Sequence, residues 1–239
     1  MKAFLKINRT DPASALCLRY WCEVFKTYDT FILCDLYDPQ KDPVPDFIKS
    51  ILVDYPVKVI NSDYSIGPKY CKCLKGAKHG MASANMTCFQ YLGDAKAFWI
   101  IDADDTMFLT RNYDFIREKL LSAEQYLFEK DLHGFSLDFY RNLNDCWTFG
   151  VCLINANTPW QLIEKLTADE VSSTGLARNI DTAFQLLKNK GLLRLENFVI
   201  DRIAFQHSVN NYPEMPHGIY VWHRGNLWDK PLKADVIIL

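Results

Sequence analysis

Asp102 and Asp104 are the residues whose types and spacing point most directly to chemistry. They lie in the stretch Ala97–Leu109, AFWIIDADDTMFL, where five apolar residues, Ala97 to Ile101, run without interruption into a cluster of acid. On an extended backbone, side chains at i and i+2 point the same way. Two carboxylates placed like this can hold a hard divalent cation against phosphate oxygens. Asp105 is expected to face away and Thr106 to begin the exit from the strand. The competing reading is a turn that closes a core strand with solvated acids.

The elements that must position these acids follow from periodicity. A short, wholly apolar run reads as a strand buried on both faces, as in a parallel sheet covered by helices. Ligands of open α/β sheets bind beyond the carboxyl ends of such strands. Upstream, Lys2–Asn8 reads as a first strand. Asp11-Pro12 is a helix start, and Cys17, Tyr20, Trp21 and Val24 form the buried stripe of the helix that follows. A strand at Thr30–Leu36, a helix near Pro45–Leu52 and a strand at Val57–Ile60 complete a β-α-β-α-β order, which argues for a parallel, Rossmann-like sheet. Nothing matches GxGxxG or the P-loop, so no glycine loop cradles phosphate there. Asn61–Gly80, with Lys69, Lys72, Lys75 and Lys78, reads as a polar loop able to close over an anion. Met81, Ala84, Cys88, Tyr91 and Leu92 mark a helix leading into the acidic strand.

Downstream, Tyr113, Ile116, Leu120, Ala123 and Leu127 define a long amphipathic helix capped by Asn112. Two β-like runs follow, Gly134–Tyr140 and Trp147–Asn155. Gln161–Leu166 reads as a short helix, and Thr167–Arg178 as a surface loop. Asp181 caps the helix DTAFQLLKNKG, with Phe184 and Leu187 buried and Gly191 as its stop. The tail from Gly218 to Leu232, GIYVWHRGNLWDKPL, has an apolar strand, Ile219–Trp222, that delivers His223 into a loop carrying Gly225 and Lys230.

These motifs resemble a family. Asp102-Ala103-Asp104 after a buried strand resembles the DxD motif of nucleotide-sugar glycosyltransferases with the GT-A fold. WTFGVCLINANTPW resembles a segment of the retaining enzymes that include glycogenin and the bacterial lipopolysaccharide galactosyltransferases. Phe149-Gly150-Val151, Leu153 and Asn155 fit that pattern, and Trp160 follows. The tail resembles the H-x-G-x-x-K-P-W motif that closes the catalytic domain in the same family. The resemblance implies that Asp102, Asp104 and His223 hold Mn²⁺ (or Mg²⁺). It implies that Asp102, Gly225 and Lys230 meet the donor diphosphate, and that Asp11, in the first β-α loop, meets the base. It implies a catalytic Asp181 that orients sugar or acceptor, or serves as a base; a plain helix cap is the competing account of that residue. His217 is the alternative metal ligand. This sequence departs from the family in several places. Ala84-Asn85 stands where relatives often carry Arg-Asn, Thr148 or Phe149 stands for the first Asn of the strand motif, and Asp181-Thr182 keeps an acid and loses an amide. Four residues rather than two separate Gly225 from Lys230, and Leu232 replaces the Trp.

The expected fold is therefore α/β: a GT-A fold with a Rossmann-like, mostly parallel central sheet flanked by helices, and a small mixed C-terminal β part. One domain is expected over 1–239, with a nucleotide-binding half at 1–110 and an acceptor-binding half and metal-closing tail at 111–239. The expected activity is metal-dependent transfer of a hexose from a UDP-sugar to a hydroxyl acceptor, with retention favoured. The expected acceptor is a glycan or lipid-linked glycan of a surface polysaccharide or lipooligosaccharide. A rival resemblance remains. Asp-x-Asp-x-Thr after an apolar strand looks like the first motif of haloacid-dehalogenase-type phosphatases, with Asp102 as nucleophile. A non-catalytic nucleotide-sugar-binding protein is the third reading.

Composition sets outer bounds. The chain has 239 residues, 49% hydrophobic, enough for a sizeable core. A formal net charge of -2 gives no general attraction to nucleic acid. No apolar run approaches the ~20 residues that span a bilayer, and no secretory signal is visible. A cytoplasmic location is expected, up to the inner face of the membrane as a peripheral associate. Cys17, Cys34, Cys88 and Cys152 sit in apolar contexts and read as core. Cys71 and Cys73 would need two more soft ligands for a zinc site, and His79 is the only other candidate in that segment, so they read as core too.

Overall fold

The computed structural model describes residues 1–8, 12–35, 46–104, 106–108, 110–137, 147, 149–174, 179–198, 203–206 and 219–223; positions 12, 13, 47, 77, 198, 203–206 and 219–223 are described by backbone alone. The N-terminal part alternates strand and helix: β1 (Lys2–Ile7), α1 (Pro12–Val24), β2 (Asp29–Cys34), α2 (Asp46–Asp54) and β3 (Lys58–Asn61). Two helices, α3 (Ile66–Tyr70) and α4 (Ala77–Thr87), lead to the acidic strand β4 (Ala97–Asp102). Then come β5 (Thr106–Phe108), α5 (Tyr113–Glu129), β6 (Gly134–Leu137), β7 (Val151–Asn155), α6 (Ala168–Ser173), α7 (Ile180–Asn189), β8 (Leu195–Phe198), β9 (Ile203–Gln206) and β10 (Ile219–His223).

Seven strands form one sheet in the order β3-β2-β1-β4-β7-β6-β8. The first four run parallel, β7 is antiparallel to both β4 and β6, and β8 returns parallel to β6. A three-stranded sheet, β5-β10-β9, is mixed. The expected mostly parallel sheet with a small mixed β part is thus present. Strand order reverses between β1 and β4. The carboxyl ends of strands at such a reversal are where open α/β sheets bind their ligands.

Side-chain alternation splits the interior into two layers. Ala3, Leu5 and Ile7 of β1 and Ala97, Trp99 and Ile101 of β4 pack with α1 and α5 on one face. Phe4 of β1 and Phe98 and Ile100 of β4 pack with α4 and α7 on the other. The next residues on that second face, in each strand, are Lys6 and Asp102. The α1 stripe is buried as the spacing predicts, and so is that of α5, where Asn112 accepts from the Phe115 N–H at 3.1 Å. Gly191 ends α7 with φ of 68°, a conformation that favours glycine.

Three local expectations change. Asn61–Gly80 is not a loop. It carries α3 and the start of α4, and Ile66, Cys71, Cys73 and Leu74 are buried in the second layer. Its lysines hid an amphipathic segment whose apolar residues are too unevenly spaced to show a period. Thr167 opens a helix rather than a loop, through a reciprocal cap with Glu170. Asn179, not Asp181, caps α7. The cysteines in the described residues are free and buried. Among the described residues, no helix is long and apolar enough to cross a membrane.

Candidate active site

Lys6 and Asp102 are register partners on neighbouring parallel strands, so their side chains rise side by side from the same face of the sheet. Lys6 Nζ stands 2.6 Å from Asp102 Oδ1. It also donates to Asn85 Oδ1 at 3.0 Å, and the Asn85 amide donates back to the Met81 carbonyl of its own helix α4 at 3.0 Å. Asn85 is 1% exposed and the Lys6 side chain 11%. A polar cluster therefore caps the hydrophobic layer made by Phe98 and Ile100, where the parallel strands end.

Three more acids surround it. Asp35, just past β2, is buried and accepts from Tyr64 Oη at 2.9 Å and from Ser62 Oγ at 3.4 Å. Burial raises its carboxyl above the ordinary range, against the pull of Lys6 and of those two hydroxyls. Asp104 is 3% exposed and its Oδ2 accepts from the Asn8 N–H at 2.8 Å. Asp181, in the first turn of α7, is partly exposed yet densely surrounded by protein. Its Oδ1 accepts from the Phe149 N–H at 2.9 Å and its Oδ2 from Asn179 Nδ2 at 3.0 Å. Burial pushes the Asp181 carboxyl up to about 6, with the Phe149 N–H and Lys6 pulling the other way. For Lys6, burial alone would lower the ammonium; Asp102, then Asp35 and Asp181, more than offset it and hold the group above the ordinary lysine range.

The two DxD acids reach this cluster by different routes. β4 ends at Asp102, and Ala103-Asp104 is already a turn, so extended alternation does not carry from one acid to the other. Instead the turn folds against the end of β1. The Ala103 N–H donates to the Lys6 carbonyl at 2.9 Å, and Asp104 takes the Asn8 N–H. Thr106 begins β5 rather than an exit. In the small sheet, His223 stands opposite Thr106, two residues after Asp104. The backbone of the expected third ligand thus runs beside the acidic turn, and its side chain lies outside the description. Asp11, Asp105, His217, Gly225 and Lys230 lie outside the described residues. On the far side of Asp102, the Gly150 carbonyl accepts the Asp102 N–H at 2.7 Å, and a methyl at Gly150 would lie 3.7 Å from Asp102 Oδ2.

Sequence reasoning missed Lys6 and used Asn85 only as a departure from a pattern. The available signal was a lysine at an inward position of an otherwise apolar strand, KAFLKI. A buried charge is costly unless paired, so such a residue marks a partner across the sheet.

The donor set suits a hard divalent cation: carboxylates on a strand end and its turn, with Lys6 on Asp102 Oδ1 and Oδ2 turned toward Gly150. Among the described residues, no group of three His, Cys, Asp or Glu is gathered tightly enough to hold a metal by itself.

No family model matches the sequence, and no curated protein matches it. Solved structures do. An active-site mutant of LgtC matches over 93% of this chain and 87% of its own, at 11% identity and a TM-score of 0.51. The galactosyltransferase LgtC in complex with donor and acceptor sugar analogues matches over the same shares, at 12% identity and a TM-score of 0.49. At such identity the likeness is one of fold: a mixed α/β, glycosyltransferase-like GT-A architecture.

Proposed function

We propose that this protein is a glycosyltransferase that moves a hexose from a UDP-sugar to a hydroxyl acceptor, with a divalent cation and with retention favoured. One observation carries the reading. The acids of the DxD turn meet the end of β1 at the point where strand order reverses, in a chain that shares the fold of LgtC. The acceptor proposed is a glycan or lipid-linked glycan of a surface polysaccharide or lipooligosaccharide.

In this reading Asp102, Asp104 and His223 hold Mn²⁺ or Mg²⁺, which supplies Lewis acidity to the leaving diphosphate. The remaining steps belong to the chain. Lys230 adds positive charge where the departing oxygen becomes negative. Gly225 allows close backbone approach, and Asp11 meets the base. Asp181 keeps one lone pair free on each oxygen beyond the bonds from Phe149 and Asn179. It can accept a hydrogen bond from a sugar or acceptor hydroxyl. With its carboxyl near 6, it is a stronger base than an exposed aspartate while still ionised at neutral pH.

The test is release of UDP from a panel of UDP-sugars with Mn²⁺ supplied, followed by the anomeric configuration of the product. Asp104→Ala is expected to abolish that release. Unimpaired release in this variant overturns the cation role of the turn. Mg²⁺-dependent release of inorganic phosphate without uridine preference would indicate the phosphatase reading instead. UDP binding with no loss of donor would indicate a binding protein.

A further inference from the structure

Lys6 is an expensive residue in its place. An ammonium buried beside a phenylalanine and an isoleucine costs several kcal/mol in desolvation, by the order of magnitude for buried ions. An apolar side chain of the same length would continue the layer formed by Phe4, Phe98 and Ile100. A buried pair of this kind often does no more than break even on stability, so its geometry is the more informative feature. Both ends of the contact are fixed. Lys6 and Asp102 are adjacent in register, and Asn85 holds the ammonium from the α4 side through a side chain itself bonded to Met81. A lysine otherwise free to rotate is clamped at two points, and Asp102 is clamped through it.

The clamp is asymmetric. It takes Asp102 Oδ1, at 2.6 Å, and leaves Oδ2 on the side of Gly150, which has no side chain to cover it. Asp35 and Asp181 both repel Asp102, and both are drawn toward Lys6. Without the ammonium, three carboxylates would share a site with nothing on β1 to fix the rotamer of the one at the strand end.

We propose that Lys6 is a positioning residue for cation binding: it pins one oxygen of Asp102 against the end of β1 so that the other is presented to a divalent cation. The inference rests on the cation-holding role of Asp102 given above. It separates this chain's DxD turn from one in which the acids alone define the site.

The experiment is titration of Mn²⁺ alone into the full chain, followed by the EPR signal of free Mn²⁺, with melting curves as a control on folding. Lys6→Met is expected to weaken Mn²⁺ binding ~10–100-fold, the usual effect of removing a residue that orients a metal ligand. Lys6→Arg keeps a cation within reach of Asp102 and is expected to recover most of that loss. Asn85→Ala leaves the ammonium but frees it, and is expected to weaken binding by a smaller factor. If Lys6→Met fails to fold, the comparison of Asn85→Ala and Lys6→Arg with the natural chain carries the test, and equal affinity in all three overturns the proposal. Mn²⁺ binding in Lys6→Met as tight as or tighter than in the natural chain would falsify it, making Lys6 a competitor of the cation. Failure of the natural chain itself to bind Mn²⁺ overturns the cation reading of the acids, a distinct result.

Discussion

The backbone N–H of Phe149 donates to Asp181 Oδ1 at 2.9 Å, fastening the first turn of α7 to the residue before Gly150. The bond places a titrating carboxyl beside the acidic turn. Burial raises Asp181 from an ordinary 3.8 to about 6. If the ionised form is the working one, metal-dependent turnover has a rising limb with its midpoint near pH 6. Asp181→Asn is expected to lower turnover ~10²–10⁴-fold, as for loss of a positioned acid-base group, and to erase that limb. Stability has the opposite sign. The folded chain holds this proton more tightly than the unfolded chain does, so folding is favoured most below the ordinary carboxyl pKa. It loses stability as pH rises from the ordinary value of 3.8 towards 6 and is flat above. The loss is at most about 3 kcal/mol for a shift of this size. Denaturant midpoints measured across that window, in both proteins, check it.

Asn179 performs two tasks with one amide. Its Oδ1 caps α7 by accepting from the Thr182 N–H at 3.0 Å, and its Nδ2 donates to Asp181 Oδ2 at 3.0 Å. Asn179→Ala is expected to cost ~1 kcal/mol through the lost cap. It also removes a donor that favours the ionised carboxylate, so the pH midpoint assigned to Asp181 should move upward. A stability loss with no movement of the midpoint would leave Asn179 as a cap alone.

Residue patterns reach most of the fold and about half of the site. α1, α5 and α7 are legible because each buries one periodic face, β1, β2 and β4 because each is a short apolar run buried on both faces, and the parallel order follows from their alternation. α3 is not legible: five residues with two buried positions carry no measurable period. At the site, Asp102 and Asp104 stand out as types, but how they converge does not. That depends on a turn at Ala103-Asp104 closing on Asn8, and sequence spacing says nothing about which distant N–H a carboxylate will meet. Lys6 and Asp102 lie 96 positions apart and are neighbours only because β1 and β4 are adjacent in the sheet. Asp181 was expected at a helix start and is there, two residues inside the true cap, because Asn179 satisfies the helix N–H and frees the acid for Phe149.

α4 carries Asn85, and its seat depends on a glycine. A methyl at Gly67 of α3 would lie 2.2 Å from the His79 carbonyl oxygen and 2.8 Å from Ser83 Oγ, while the Gly67 N–H donates to that same hydroxyl. Neither backbone can yield without moving the helices apart. Gly67→Ala is expected to cost ~3 kcal/mol or more, the upper end for overpacking, and to weaken Mn²⁺ binding by displacing Asn85. Gly80→Ala, in α4, is the matched control. Its methyl would meet the Tyr64 ring at ordinary distances, Cε1 at 3.7 Å and Cδ1 at 4.0 Å, so the better helix propensity should show as a gain of ~0.5–1 kcal/mol. Chemical denaturation of the two variants separates close packing from a general intolerance of this segment.

Gly150 offers the opposite case, a position where added bulk should spare the fold and disturb the chemistry. Its φ is not positive, and a methyl there would stand 3.7 Å from Asp102 Oδ2, an ordinary contact that forces no backbone shift. Gly150→Ala is therefore expected to fold with stability changed by less than ~1 kcal/mol, from the reduced freedom of the unfolded chain. The same methyl packs beside Oδ2, the oxygen that Lys6 leaves. A cation must come within ~2.0–2.6 Å of a ligating oxygen, and a methyl packed on that oxygen narrows the approach. Mn²⁺ affinity should fall about tenfold, in line with a disturbed ligand environment, while the melting temperature holds. Unchanged affinity in a folded Gly150→Ala would mean that the oxygen facing Gly150 is not the one offered to the metal, and that Lys6 yields Oδ1 when the cation binds.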